Sequence, residues 1–229
     1  MNIEMEITLR CNARCPQCSR HCNLFDYNET EMTMEQVDKF IRQVQSGGNK
    51  IGLISIMGGE PTIHPCFGEI VDLLYRELYL NHFVRFIRIA TNGIKPIAPE
   101  IKKLPIKIIT SPPKNKKHRC QFIAPADCKQ EVKRKCNIPA DCGIALNCFG
   151  YFPCGAGGAI VRLFNMPKFI RHKLPISLND FGDISDMCNL CQAFAKHPKM
   201  VASGSSDPSL SFKRAIENYH LQKPKYPLF

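Results

Sequence analysis

The feature that most constrains the fold is a regular alternation of strand and helix patterns over the first half of the chain. Apolar and polar residues alternate from Ile3 to Leu9, which is the period of a strand with one buried face. Strands are predicted at residues 3–9, 51–57, 84–90 and 107–110, and helices at 33–45, 67–80 and about 97–103. Because strands that alternate with helices form parallel sheets, the sequence predicts an α/β fold.

The second half of the chain follows a different pattern. Proline, lysine and cysteine become frequent after residue 111, and the next segment with helical spacing lies at 208–219. The run from Ile144 to Phe152 is typical of a hairpin that turns near Phe149 and Gly150. We therefore expect two parts, a compact α/β core over residues 1–111 and an irregular, cysteine-rich C-terminal subdomain over 112–229.

Composition indicates a globular protein of a reducing compartment. The 229 residues are 44% hydrophobic, which is enough to bury a core. The opening residues MNIEMEITL are acidic and mixed, whereas a secretory signal begins basic and continues apolar. Residues 142–161 are uncharged, but their glycines, Pro153 and cysteines favour a hairpin over a membrane span. We expect a cytoplasmic protein without a membrane segment, whose 13 cysteines serve as metal ligands or redox groups more often than as disulfides.

A group of three cysteines lies directly after the first predicted strand. Cys11, Cys15 and Cys18 are spaced as C-x3-C-x2-C. Three thiolates this close in sequence can hold three corners of a cubane iron–sulfur cluster and leave the fourth iron to an exogenous ligand. A zinc ion would normally take a fourth protein ligand, which Cys22 or His21 could supply. This motif by itself leaves both metals open.

A second motif, Gly58-Gly59-Glu60-Pro61, follows the second predicted strand. In parallel α/β folds, ligands gather at the carboxyl ends of the strands, so this loop and the cysteine loop are expected to share one site. The two motifs, in this order, resemble the radical S-adenosylmethionine (SAM) superfamily. The resemblance covers about residues 1–111 and implies an abbreviated, open version of that superfamily's partial (β/α) barrel.

The resemblance also implies how the cofactors are held. Cys11, Cys15 and Cys18 would bind a [4Fe–4S] cluster whose open iron is chelated by the amino and carboxylate groups of SAM. The GGEP backbone would meet the amino group, and its glycines permit the close approach. Gln17 departs from the family pattern, which usually has an aromatic residue there. The implied SAM-binding residues are Gly58, Gly59, Glu60, Pro61, Thr91, Asn92 and Ser111.

A second cysteine group lies in the C-terminal half. Cys136 and Cys154 bracket the predicted hairpin, and Cys188 and Cys191 follow as C-x2-C. This layout resembles the twitch subdomain, a shortened SPASM subdomain, of radical SAM enzymes of the 2-deoxy-scyllo-inosamine dehydrogenase type. It implies an auxiliary [4Fe–4S] cluster, with Cys142 as an alternative to Cys136. Four thiolates could instead hold a zinc ion.

The function that the resemblance implies is radical chemistry. A reduced cluster would cleave SAM to methionine and a 5′-deoxyadenosyl radical, which abstracts hydrogen from a small-molecule or peptide substrate. An auxiliary cluster would favour an oxidative outcome, and an external flavodoxin-like or ferredoxin-like donor would supply electrons. One alternative is redox-neutral chemistry such as epimerisation. The other is a zinc-stapled binding module, which has no need of GGEP.

The net charge of +11 is concentrated between residues 102 and 135. Lys114, Lys116, Lys117 and Arg119 follow the fourth predicted strand and could neutralise an anionic substrate, although a solvated loop explains them as well. No basic patch with interleaved aromatic residues and no recognised binding motif supports a nucleic-acid partner. The remaining cysteines, Cys22, Cys66, Cys120, Cys128 and Cys148, receive no role.

Overall fold

The computed structural model of the protein describes residues 1–13, 18–22, 31–48, 50–110, 136–191, 210–222 and 225–229. The strands are β1 (Asn2–Thr8), β2 (Ile51–Gly58), β3 (Val84–Thr91), β4 (Lys107–Thr110), β5 (Ile144–Asn147) and β6 (Gly150–Phe152). The helices are α1 (Met34–Gly47), α2 (Phe67–Leu74), α3 (Pro99–Lys102), α4 (Ile138–Asp141), α5 (Gly155–Leu163), α6 (Ser185–Cys188) and α7 (Leu210–Gln222). The predicted α/β fold class is confirmed.

Among the described residues, the strands form one sheet in the order β4-β3-β2-β1-β5-β6. Each neighbouring pair from β4 to β5 is parallel, and β6 is antiparallel to β5. The first four strands therefore end at the same edge of the sheet. That edge carries the loops in which the sequence places its first two motifs.

Local sequence signals explain where α1 begins and ends. The Thr33 side chain accepts a hydrogen bond from the Gln36 backbone, and the Gln36 side chain bonds back to Thr33, which forms a capping box. Gly48 follows the helix in the left-handed conformation at φ 64°. Val37, Phe40 and related apolar residues of α1 belong to the same buried cluster as Ile3, Met5 and Ile7 of β1. The apolar face of α1 thus packs into the core of the sheet.

The later chain adds to the same sheet. The predicted hairpin is present as β5 and β6. Strand β1 has β2 on one side, and β5 pairs in parallel with β1 on its other side. Residues of both halves share one buried apolar cluster. The predicted boundary near residue 111 coincides with the start of the range 111–135, which lies outside the described residues. The division into two domains therefore stays a prediction.

Of the helices that the structure describes, none combines the length and the apolar composition that crossing a bilayer requires.

Candidate functional site

The first cysteine group follows β1 at the carboxyl edge of the sheet. The thiols of Cys11 and Cys18 are half-buried and interact electrostatically with each other. Cys15, between them, and Gln17 lie outside the described residues. The two described thiols therefore share one environment at the end of β1, as the C-x3-C-x2-C spacing requires.

Hydrogen bonds favour the thiolate form of Cys18. A hydrogen bond from the Cys22 thiol, with further ones from the backbone N–H groups of Cys22 and Arg20, lowers the pKa of Cys18 to about 6 although burial opposes the change. Burial raises the pKa of Cys11, against a 3.4 Å hydrogen bond from the Ala13 N–H to its Sγ. Because the thiolate is the form that binds metal, Cys18 already has the electrostatics of a ligand. Cys22 donates to a neighbouring ligand candidate.

This difference predicts two pH profiles in the metal-free protein. Alkylation of Cys18 by iodoacetamide should reach half of its maximal rate near pH 6, because the thiolate forms above the pKa and is the reactive species. Alkylation of Cys11 should reach half of its maximal rate at a higher pH than that of an ordinary cysteine, because burial raises the pKa of its thiol. Mass spectrometry of labelled peptides measures both rates. Cys22→Ala should move the Cys18 profile to higher pH, and an unchanged profile would contradict the assigned hydrogen bond.

The loop after β2 is locked onto the loop after β1 by its backbone. The Gly59 N–H donates to the Thr8 carbonyl and the Glu60 N–H to the Arg10 carbonyl, each at 2.8 Å. A Cβ atom on Gly59 would lie 2.1 Å from the Arg10 carbonyl oxygen, closer than any real contact. Gly58 has φ 138°, a conformation that other residues rarely adopt. Both glycines are therefore needed for the close approach of the two loops.

The Glu60 side chain turns into the protein. Its fully buried carboxylate accepts hydrogen bonds from the Thr62 N–H and hydroxyl, at 3.1 and 2.6 Å. It also accepts from the Thr91 hydroxyl at 2.7 Å and the Asn92 N–H at 2.6 Å. Pro61 begins a short 3₁₀ turn directly after it. Glu60 thus joins the loops that follow β2 and β3, and its carboxylate is occupied by protein donors.

The loop after β3 returns to the first cysteine group. The Asn92 Nδ2 lies 3.9 Å from the Cys11 Sγ and 2.7 Å from the Asn12 Oδ1. The structure therefore brings together Cys11, the GGEP loop and the Thr91-Asn92 pair at one edge of the sheet. Ser111, the remaining predicted SAM-binding residue, lies outside the described residues.

Sequence reasoning missed a buried ionic cluster next to the cysteine loop. The Arg20 Nε donates to the Glu6 carboxylate at 2.7 Å, and the Arg20 Nη2 lies 3.3 Å from a Glu4 oxygen. The Asn147 amide of β5 donates to the other Glu6 oxygen at 3.0 Å. The prediction that β1 buries one face is wrong, because both faces are buried and Arg20 compensates the carboxylates on the polar face. Arg20 thereby fastens the cysteine loop to the sheet.

The second cysteine group lies around α5 and α6. Cys154 is the N-cap residue of α5 and its Sγ accepts a hydrogen bond from the Gly157 N–H at 3.3 Å. Burial raises the pKa of Cys154, and the nearby thiols of Cys191 and Cys188 raise it further. Burial likewise raises the pKa of Cys188 to about 12, with contributions from Cys191 and Cys136. The four predicted ligands thus lie in one electrostatic neighbourhood.

The rival residue Cys142 lies near charged side chains. Burial raises its pKa, and the charged groups that act on it include Glu4, Arg88 and Arg20. Cys136, by contrast, is among the groups that raise the pKa of Cys188. Glu4 also acts on Cys154, so the choice between Cys136 and Cys142 stays a prediction. Within the ranges that the structure describes, no three cysteine, histidine or carboxylate side chains already converge closely enough to hold a metal ion. The donor chemistry of both groups, clustered cysteine thiols, fits an iron–sulfur cluster.

Comparison with known proteins identifies the family. A family model for the radical SAM superfamily matches residues 5–138. The chain belongs to the radical SAM superfamily.

The individual proteins that resemble the chain have low sequence identity to it. An S-adenosylmethionine-dependent nucleotide dehydratase from Selenomonas ruminantium is 28% identical over 99 residues, which are 43% of this chain and 32% of that protein. The alignment thus spans about a third of the curated relative. The crystal structure of BtrN in an open conformation aligns with a TM-score of 0.51 at 18% identity, and covers 89% of this chain and 86% of that one. At this identity the BtrN likeness shows the fold.

Proposed function

We propose that the protein is an enzyme that reductively cleaves SAM and abstracts a hydrogen atom from a small-molecule or peptide substrate. The observation that carries the proposal is the meeting of three loops of a radical SAM chain at one sheet edge, where Cys11, Glu60 and Asn92 are joined by hydrogen bonds. When bound, a four-iron cluster and SAM supply one-electron cleavage of the sulfonium and hydrogen abstraction from carbon.

The chain's own residues have separate tasks in this proposal. Cys11, Cys15 and Cys18 supply thiolate ligands, and the hydrogen bonds around Cys18 keep it ionised. Gly58 and Gly59 bring the loop backbone close to the cysteine loop, where it can meet the SAM amino group. Thr91, Asn92 and Ser111 complete the SAM-binding side of the site.

Anaerobic reconstitution with iron and sulfide tests the proposal. The protein should gain the absorbance and the reduced-state electron paramagnetic resonance (EPR) signal of four-iron clusters, and should form 5′-deoxyadenosine from SAM under dithionite. A protein that takes up no iron–sulfur cluster, or that forms no 5′-deoxyadenosine when loaded, would overturn the proposal. Two zinc ions per chain and no iron would support the zinc-stapled binding module instead.

We further propose that Cys136, Cys154, Cys188 and Cys191 hold an auxiliary [4Fe–4S] cluster in a twitch-like subdomain. Support comes from the mutual electrostatic interactions of these thiols and from the spacing of the two pairs. An auxiliary cluster near the substrate can accept the electron of a substrate radical, which makes a two-electron oxidation the favoured outcome. A product that contains as many hydrogen atoms as its substrate would instead indicate redox-neutral chemistry.

Replacement of Cys188 and Cys191 by alanine tests the auxiliary site. Iron should fall from about eight to about four per chain, while 5′-deoxyadenosine formation remains measurable because the first site is intact. Cys142→Ala is the matched control and should retain about eight irons, since Cys142 lies with the ionic cluster. Iron content and 5′-deoxyadenosine are both measured on soluble protein. Loss of iron in Cys142→Ala with retention in Cys136→Ala would exchange the two assignments.

The proposed reaction also requires an electron donor and a reducing compartment. A flavodoxin-like or ferredoxin-like protein would supply the electron, and the reducing cytoplasm would keep the thiols available for metal.

A further inference from the structure

We propose that Asn92 tunes the reduction potential of the cluster that Cys11 helps to hold, by donating a hydrogen bond to the Cys11 sulfur while Glu60 keeps Asn92 in place. The proposal rests on the proposed function, because it requires a four-iron cluster on the first cysteine group. Asn92 is thereby a positioning residue that acts on the cluster through its ligand. It is a different task from the SAM contact that the family resemblance implies for this position.

The orientation of the Asn92 amide is determined by its partners. The Asn92 Oδ1 accepts a hydrogen bond from the Ile94 N–H at 2.9 Å, so the other end of the amide is the nitrogen. That nitrogen carries two hydrogens. One is donated to the Asn12 Oδ1 at 2.7 Å, which leaves the second for the Cys11 Sγ at 3.9 Å. A flipped amide would place a carbonyl oxygen against both the Asn12 oxygen and the Cys11 sulfur.

The backbone of Asn92 is held as firmly as its side chain. Its N–H donates to a Glu60 oxygen at 2.6 Å, and Glu60 is fully buried. The neighbouring Thr91 hydroxyl donates to the other Glu60 oxygen at 2.7 Å and accepts from the Gly93 N–H at 3.1 Å. Hydrogen bonds to a buried carboxylate are among the stronger kinds. The carboxylate therefore fixes the distance between the β3 loop and Cys11.

A hydrogen bond to a ligand sulfur has a defined effect on a cluster. Reduction adds negative charge to the cluster and its sulfurs, so an N–H donor stabilises the reduced state more than the oxidised state. Removal of the Asn92 amide should therefore lower the midpoint potential. A cluster with a lower midpoint potential is harder to reduce with a given electron donor. Asn92 would therefore affect which electron donors can reduce the cluster.

The test is an EPR-monitored redox titration of the reconstituted protein without SAM. Asn92→Leu, which keeps the size of the side chain and removes its donors, should have a lower midpoint potential than the wild type. An exchangeable proton coupled to the reduced cluster, seen by electron nuclear double resonance in ²H₂O, should be lost in the same variant. Asn92→Ala serves if the leucine variant does not load its cluster.

Asn81→Leu is the matched control. It makes the same change of side chain at an exposed asparagine outside the site, whose amide donates to the Arg76 and Glu77 carbonyls. Its midpoint potential should stay near the wild-type value. An equal shift in Asn81→Leu, unchanged potentials in the Asn92 variants, or failure of both Asn92 variants to load a cluster would overturn the inference. A wild type that binds no four-iron cluster would overturn the proposed function itself.

Discussion

The Cys15→Ala protein is expected to form no detectable 5′-deoxyadenosine from SAM, while its iron content falls from about eight to about four per chain. The substitution removes one of three protein ligands to the proposed SAM-binding cluster, and two thiolates cannot hold three irons in place. The auxiliary group has its own four cysteines and should remain loaded. Chemical analysis of iron and chromatography of the nucleoside product measure the two effects separately.

A second cysteine provides the control for this substitution. Cys66 directly precedes α2, is half-buried and lies outside both cysteine groups. Cys66→Ala should keep its full iron content and continue to cleave SAM. If Cys15→Ala produced 5′-deoxyadenosine at the wild-type rate, the first cysteine group would not be the SAM site.

Gly59→Ala is expected to destabilise the fold by about 3 kcal/mol and to abolish SAM cleavage. The added methyl group would lie 2.1 Å from the Arg10 carbonyl oxygen, which is backbone and cannot move aside without breaking the hydrogen bonds between the two loops. Urea denaturation measures the free energy of unfolding.

Gly68→Ala is the matched control for the glycine prediction. A Cβ atom at Gly68, in the first turn of α2, meets nothing within 4 Å. Alanine there should leave stability unchanged or raise it by up to about 1 kcal/mol, because it has the higher helix propensity. Equal stability of the Gly59→Ala and Gly68→Ala proteins would show that the loop after β2 adjusts without cost.

The elements that the sequence predicts are those with a local periodic pattern. The four strands and three helices before residue 111 are present because each displays its own apolar spacing and its own end signals, such as Thr33 and Gly48 at the ends of α1. The hairpin at 144–152 is likewise confirmed. The position of β5 beside β1 could not be predicted, because no local feature of Ile144–Asn147 specifies a partner so distant in the chain.

In the candidate site, too, some features could be predicted from the sequence and others could not. Cys11 and the GGEP loop could be placed at one edge, because strand ends in a parallel sheet coincide. The burial of Glu4 and Glu6 could not be predicted, since their compensating partners are Arg20 in the cysteine loop and Asn147 in β5. The burial of the Glu60 carboxylate could not be predicted from the sequence either, because it depends on hydrogen-bond donors from the loop after β3. The sequence signal that could have indicated a buried ionic cluster was the presence of two glutamates, Glu4 and Glu6, on one face of the same strand.

The central place of β1 in the sheet has a consequence for how the chain folds. Ile3 pairs with Ile54 on one side and with Ile144 on the other, so β1 takes its second neighbour from a strand that lies far later in the chain. Contacts between residues so far apart slow folding, because the intervening chain must be closed into a large loop. Until β5 arrives, one edge of β1 remains open to strand addition by another chain. The hairpin of β5 and β6, which lies between Cys136 and Cys154, closes this edge when β5 pairs with β1.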